Sequence, residues 1–171
     1  AQNLDSGTAA LIGSSGESIL PEPGPVYNWA DINGDTVAGD YATSDLNLGA
    51  NTLYTDNGTN ITLRLRNAAG KGQITGTSGA SNLTTTQSGW TSGNIAIYDV
   101  GDLSIGGIDT SNQRNTGNGP VSGNLTIGQL TNLAGRIRVD FIRTGGGPSA
   151  YGGAVTIYGS NDVLVQTAGG A

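Results

Sequence analysis

Gly93-Asn94-Ile95-Ala96-Ile97 returns as Gly123-Asn124-Leu125-Thr126-Ile127 and again as Gly153-Ala154-Val155-Thr156-Ile157, each time after a step of 30 residues. Every version opens on Gly and then alternates apolar with small or polar residues. Alternation with a period of two is the pattern of a β-strand that buries one face. A fixed step between similar strands is the mark of a repeat architecture.

A second short strand follows each version. Leu103-Ser104-Ile105 follows the first, Ile137-Arg138-Val139 the second and Val163-Leu164-Val165 the third. The second of these arrives late because Gly128 to Gly135 carries about four extra residues, a slack that a solenoid places in loops while its strands stay in register. Gly107-Ile108 and Phe141-Ile142 extend the pattern and close on Asp109-Thr110-Ser111 and Arg143-Thr144. Variable loops follow, at 112–122 and 145–152. Upstream, the same grammar continues with looser spacing. Asn60 to Leu65 and Gln73-Ile74-Thr75 form one pair of strands; Asp45 to Leu48 and Thr52-Leu53-Tyr54 form an earlier one.

One such coil cannot bury its apolar face alone, whereas stacked coils bury a continuous column of Ile, Leu and Val. The expected fold is therefore all-β, a parallel β-helix or solenoid over residues 31–171, with its clearest repeats at 93–167. The alternative is an antiparallel β-sandwich with accidental likeness between strands. Residues 1–30 differ. They hold Ala9-Ala10-Leu11-Ile12, a Gly/Ser stretch and Pro21-Glu22-Pro23-Gly24-Pro25. The proline run breaks any ladder, so this segment is expected to be an extended arm and connector that caps the solenoid or adds a strand to a neighbour.

Composition agrees with strands and turns. Of 171 residues, 30 are Gly, 35% are hydrophobic and 12% are charged. No stretch of ten residues carries a 3.6-residue apolar period, which argues against helices. Gly is irregular and Pro numbers five, so collagen is excluded. No run of eighteen apolar residues is present to span a membrane as a helix. The net charge is −6, which argues against nucleic acid, where affinity rests on neutralising phosphate. A weakly charged surface rich in Thr, Asn and Gly suits an extracellular or cell-surface protein. The chain opens on Ala1 and holds no Met, as expected of a processed or cut chain.

The run from Gly101 to Ser111, its Gly/Asn loop and then Gly123 to Ile127 resemble the repeats of filamentous-haemagglutinin-like surface proteins. The resemblance covers about residues 93–167. It implies a right-handed β-helix displayed on a cell surface as an adhesin or fibre, with no catalytic residues to carry over.

In the first half, Asp31-Ile32-Asn33-Gly34-Asp35 resembles the opening of a calcium loop. Asp31, Asn33 and Asp35 offer oxygen at alternate positions, Val37 a backbone carbonyl, and Asp40 or Asp45 the closing ligand. Calcium takes six to eight hard oxygen ligands. The spacing departs from the EF-hand: Thr36 follows Asp35, and Ala42 stands at the twelfth position. An Asx-rich turn with an Asn-Gly corner explains the same residues.

Much catalytic chemistry is missing. The absence of His and Cys removes imidazole triads and thiol nucleophiles. Gly70-Lys71-Gly72 lacks the spacing of a phosphate-binding loop. A polysaccharide-degrading enzyme would need paired acids, and the repeat region holds Asp99, Asp102, Asp109, Asp140 and Asp162. Asp102 and Asp162 precede equivalent strands, which suits a stacked turn position better than a catalytic pair. Tyr98 and Tyr158 follow equivalent strands and are expected to stack as a ladder. Among the four sequons, Asn57 and Asn82 fall in apparent loops and are the candidate glycan acceptors.

The expected function is a non-catalytic extracellular structural protein. It would be the subunit of a filament or matrix, partnered by copies of itself through end-to-end β-stacking or strand exchange. The alternative is a surface adhesin or carbohydrate-binding module that uses the variable loops.

Overall fold

The computed structural model describes residues 26–28, 40–43, 45–54, 60–65, 70–85, 91–112, 121–146 and 151–165. The strands are β1 (Val26–Asn28), β2 (Asp40–Thr43), β3 (Asp45–Asn47), β4 (Thr52–Tyr54), β5 (Ile61–Leu65), β6 (Gly72–Thr75) and β7 (Asn82–Thr84). They continue with β8 (Ile95–Tyr98), β9 (Val100–Asp109), β10 (Leu125–Ile127), β11 (Ile137–Arg143), β12 (Val155–Ile157) and β13 (Val163–Val165). All pairings between these strands are parallel. That arrangement is a β-solenoid and excludes the antiparallel sandwich.

The strands fall into three columns. The first runs β2-β5-β8-β10-β12 and the second β1-β3-β6-β9-β11-β13. The third holds β4, β7 and the later halves of β9 and β11. One circuit of the chain through the columns makes a rung, and successive rungs lie about 4.8 Å apart, as strands do in any sheet.

The 30-residue repeat is the first column. Ile95, Leu125 and Val155 lie side by side, as do Ile97, Ile127 and Ile157. The second column matches Leu103 to Ile137 and Ile137 to Val163, and the third matches Phe141-Ile142-Arg143 to Gly107-Ile108-Asp109. The looser upstream strands join in the same register: Ile61 beside Ile95, Leu46 beside Ile74, Leu53 beside Leu83. The extra residues after Gly128 are taken up outside the columns, in a short turn where Gln129 and Asn132 bond each other. Within the expected connector, Val26–Asn28 pairs with β3 as a strand of the second column.

Alternation decides what is buried. In β5 the residues Ile61, Leu63 and Leu65 point inward, and Thr62 and Arg64 point outward less deeply. Repeated on every rung, this builds one core from Leu46 to Val139 along the axis. Gly packing lets the rungs close. A Cβ on Gly123 would stand 1.8 Å from the Gly93 carbonyl oxygen, and one on Gly153 would stand 1.9 Å from that of Gly123. No side chain fits there, which explains the Gly that opens the second and third repeats.

Truncation of the core should reflect position along the axis. Ile97→Ala removes a fully buried side chain and is expected to cost about 2–5 kcal/mol. Val155→Ala, near the end of the described stack, is expected to cost about 1 kcal/mol or less. Urea denaturation of the two variants measures the difference.

Candidate assembly interface at the final rung

Two polar columns run along the outside of the solenoid, and both point one way. In the first, the Asn60 carboxamide oxygen accepts the Asn94 N–H, Asn94 accepts that of Asn124, and Asn124 accepts that of Ala154, each at 2.8 Å. In the second, Asp45 accepts the Gln73 N–H at 2.7 Å and Asp102 accepts the Arg136 N–H at 2.9 Å. Each side chain thus takes a backbone N–H from the rung that follows. Asn and Asp suit such bonds because a short side chain with a polar oxygen competes well for nearby backbone N–H groups.

The β12–β13 rung is the last that the structure describes. Val163 and Val165 stand in register with Ile137 and Val139. The latter pair is 0% exposed, whereas Val163 is 44% and Val165 38% exposed. Val155, beside the buried Leu125, is likewise 44% exposed. On the inner rungs the next rung supplies the cover. Leu164, on the outer face of β13, is also exposed.

Asp162 stands one residue before β13, in register with Arg136 and hence in the Asp45/Asp102 position. No hydrogen bond or ion pair engages its carboxylate among the described residues. Asp99, Asp109 and Asp140 are engaged otherwise. Asp99 accepts the Asn132 amide, Asp109 accepts the Ser111 N–H and lies 4.0 Å from Arg143, and Asp140 accepts the Ser78 hydroxyl and the Gly79 N–H. Asp102 and Asp162 share one column with Arg136 between them, as their equivalence implies, but Asp102 lies inside β9 rather than in a turn before it.

The variable loops leave the solenoid at one corner. Thr91, Val121 and Tyr151 are bridged in sequence, as are Asn112 and Gly146. Beneath them the corner is polar and closed. The Thr110 hydroxyl donates to the Gly123 carbonyl at 2.6 Å, the Ser122 hydroxyl to Gly145 at 2.9 Å, and the buried Asn112 N–H to the Ser122 hydroxyl oxygen at 3.1 Å. Residues 113–120 and 147–150 lie outside the described residues.

Of the calcium candidates, Asp31, Asn33, Asp35 and Val37 lie outside the described residues; Asp40 begins β2. Asp45 begins β3, with its carboxylate on the Gln73 N–H. Among the described residues no three His, Cys, Asp or Glu gather as a metal cluster. Asn57 also lies outside them. Asn82 is not in a loop: it belongs to β7, and its amide nitrogen donates to the Ala80 carbonyl at 3.2 Å. Tyr98 and Tyr158 share a column but do not stack, because Gly128 occupies the rung between them. Tyr98 packs instead under the Arg64 guanidinium, 4.8 Å from its ring centre. No helix among the described residues is long and apolar enough to cross a membrane. Comparison with known protein families, curated proteins and solved structures finds no match.

The polar columns set register through single bonds. Asn94→Ala deletes the acceptor for the Asn124 N–H and is expected to lower stability by about 1 kcal/mol, read as a lower urea midpoint with an unchanged slope.

Proposed function

We propose that this chain is a non-catalytic, extracellular structural protein that assembles into filaments or a matrix by adding rung upon rung. The observation that carries the reading is the half-exposed last described rung, where Val155, Val163 and Val165 occupy core positions with no covering rung among the described residues. Covering each of these side chains contributes about 1 kcal/mol, roughly half of full burial. A strand edge with unpaired N–H and C=O groups adds a template for parallel pairing. Engagement of Asp99, Asp109 and Asp140 in backbone and side-chain bonds supports a structural role for the acids over a catalytic one. The weakly charged, Thr- and Asn-rich exterior supports an extracellular setting.

A second reading is a surface adhesin or carbohydrate-binding module. It is favoured by the convergence of the two variable loops on one corner, where buried hydrogen bonds hold their bases. A binding module of this kind stays monomeric and takes up ligand saturably.

Electron microscopy at rising protein concentration separates the two. Uniform fibres that grow with concentration are expected. Val163→Lys, at an exposed position, should abolish them while leaving the thermal midpoint within a few degrees of the parent. Dispersed particles at every concentration would overturn the filament reading. The same grids with calcium and with chelator test the proposed ion between Asp31 and Asp45, since fibres that depend on it vanish on chelation.

A further inference from the structure

Resting on that filament reading, we infer that the occupant of the last described rung is the first described rung of a second copy, joined head to tail, with β13 pairing to β1 and Asp162 fixing the register. Three observations converge on this partner.

The first is topological. β1 and β13 are the two edges of the same second-column sheet, and β2 and β12 are the two edges of the first-column sheet. All pairings between strands are parallel, so translation along the axis brings β1 of one copy onto β13 of another with no change of strand sense. A tail-to-tail contact related by a two-fold axis would force antiparallel pairing, which no pair of strands here uses. Translation without closure makes an open fibre.

The second is the unfilled acceptor. Asp45 and Asp102 each take the N–H of the rung after their own. Asp162 holds the same position and has no such partner among the described residues. With β1 continuing the register, Tyr27 falls beside Val163, and the N–H before it, on Val26, falls to the Asp162 carboxylate. The Asn column ends differently, because Ala154 carries no acceptor. The lock therefore belongs to the second column.

The third is charge. Residues 1–63 hold eight Asp and Glu and no Lys or Arg, whereas residues 64–171 hold seven Lys and Arg and five Asp and Glu. Of these acids Asp40 begins β2 and Asp45 begins β3, early in the described stack, whereas Arg136, Arg138 and Arg143 come late in it. Arg136, Arg138 and Arg143 are exposed on the rung just below the last. Head-to-tail contact turns these guanidinium groups toward the end of the next copy that carries Asp40 and Asp45, whereas head-to-head contact turns those two acids toward their own copies.

The chain has no Cys, so single introduced thiols report the contact. Asn28→Cys and Leu164→Cys are prepared separately, then mixed under mild oxidation. The expected result is a dimer band at least tenfold stronger in the mixture than in either variant alone, weakening in high salt. Asp162→Ala should leave the urea midpoint of the isolated chain unchanged, since nothing described in the chain engages that carboxylate. It should raise the concentration needed for assembly roughly tenfold, as loss of one charged hydrogen bond does. Crosslinking of Leu164→Cys with itself, or fibres that form without any crosslink in the mixture, would overturn the head-to-tail register while the filament reading survives. A monomeric parent chain whose Leu164→Cys thiol resists alkylation would overturn both, because the chain's own residues 166–171 then cover the rung.

Discussion

A rung in this protein cannot bury its own apolar side chains, and that constraint governs the rest. Ile97 is covered because Leu63 lies on one side of it and Ile127 on the other. Remove either neighbour and the same side chain faces water, as Val163 and Val165 do. Stability is thus a property of contacts between rungs, close to a one-dimensional sum over neighbours.

Burial alone does not set the register of one rung on the next, since a slip by two residues would keep apolar side chains inside. The polar columns remove that freedom. The Asn60-Asn94-Asn124 chain and the Asp45 and Asp102 bonds tie a particular N–H to a particular side chain. The Gly93-Gly123-Gly153 stack adds a steric condition, because only glycine fits at that approach. With register held at these points, the chain between them varies in length without disturbing the stack.

The sequence was legible where the spacing is constant. From Ile95 onward the first column repeats at 30 residues, and its three strands and their partners Leu103, Ile137 and Val163 are placed as their pattern implies. Elsewhere the steps vary, because loops of different length separate the columns; Gly107-Ile108 and Phe141-Ile142 were still matched by their pattern, whereas the pairing of Asp45 with Gln73 leaves no periodic trace. Tyr98 and Tyr158 misled for the opposite reason: their positions are equivalent, but the intervening rung carries Gly128. Asn82 follows a turn-rich stretch, Gly76 to Ser81, and its strand is only three residues long, too short to outweigh its neighbours. Asp162 was visible as a turn position, but its importance depends on the bonds made by Asp45 and Asp102, which spacing cannot reveal.

Among the described residues, two side chains reach past their nearest rung. Lys71, at the start of β6, passes Gly101 to donate to the Leu133 carbonyl, and Asp140 in β11 crosses beside Gly106 to the turn at Ser78 and Gly79. Both straps tie the β5–β7 rung to the β10–β11 rung and enclose the β8–β9 rung between them. Such second-neighbour coupling departs from a simple chain of adjacent contacts. Under a pull along the axis, the enclosed rung separates only if these bonds break as well as those to its own neighbours. Resistance to such a pull is thereby concentrated in these three rungs, where each loss exposes more than one neighbour.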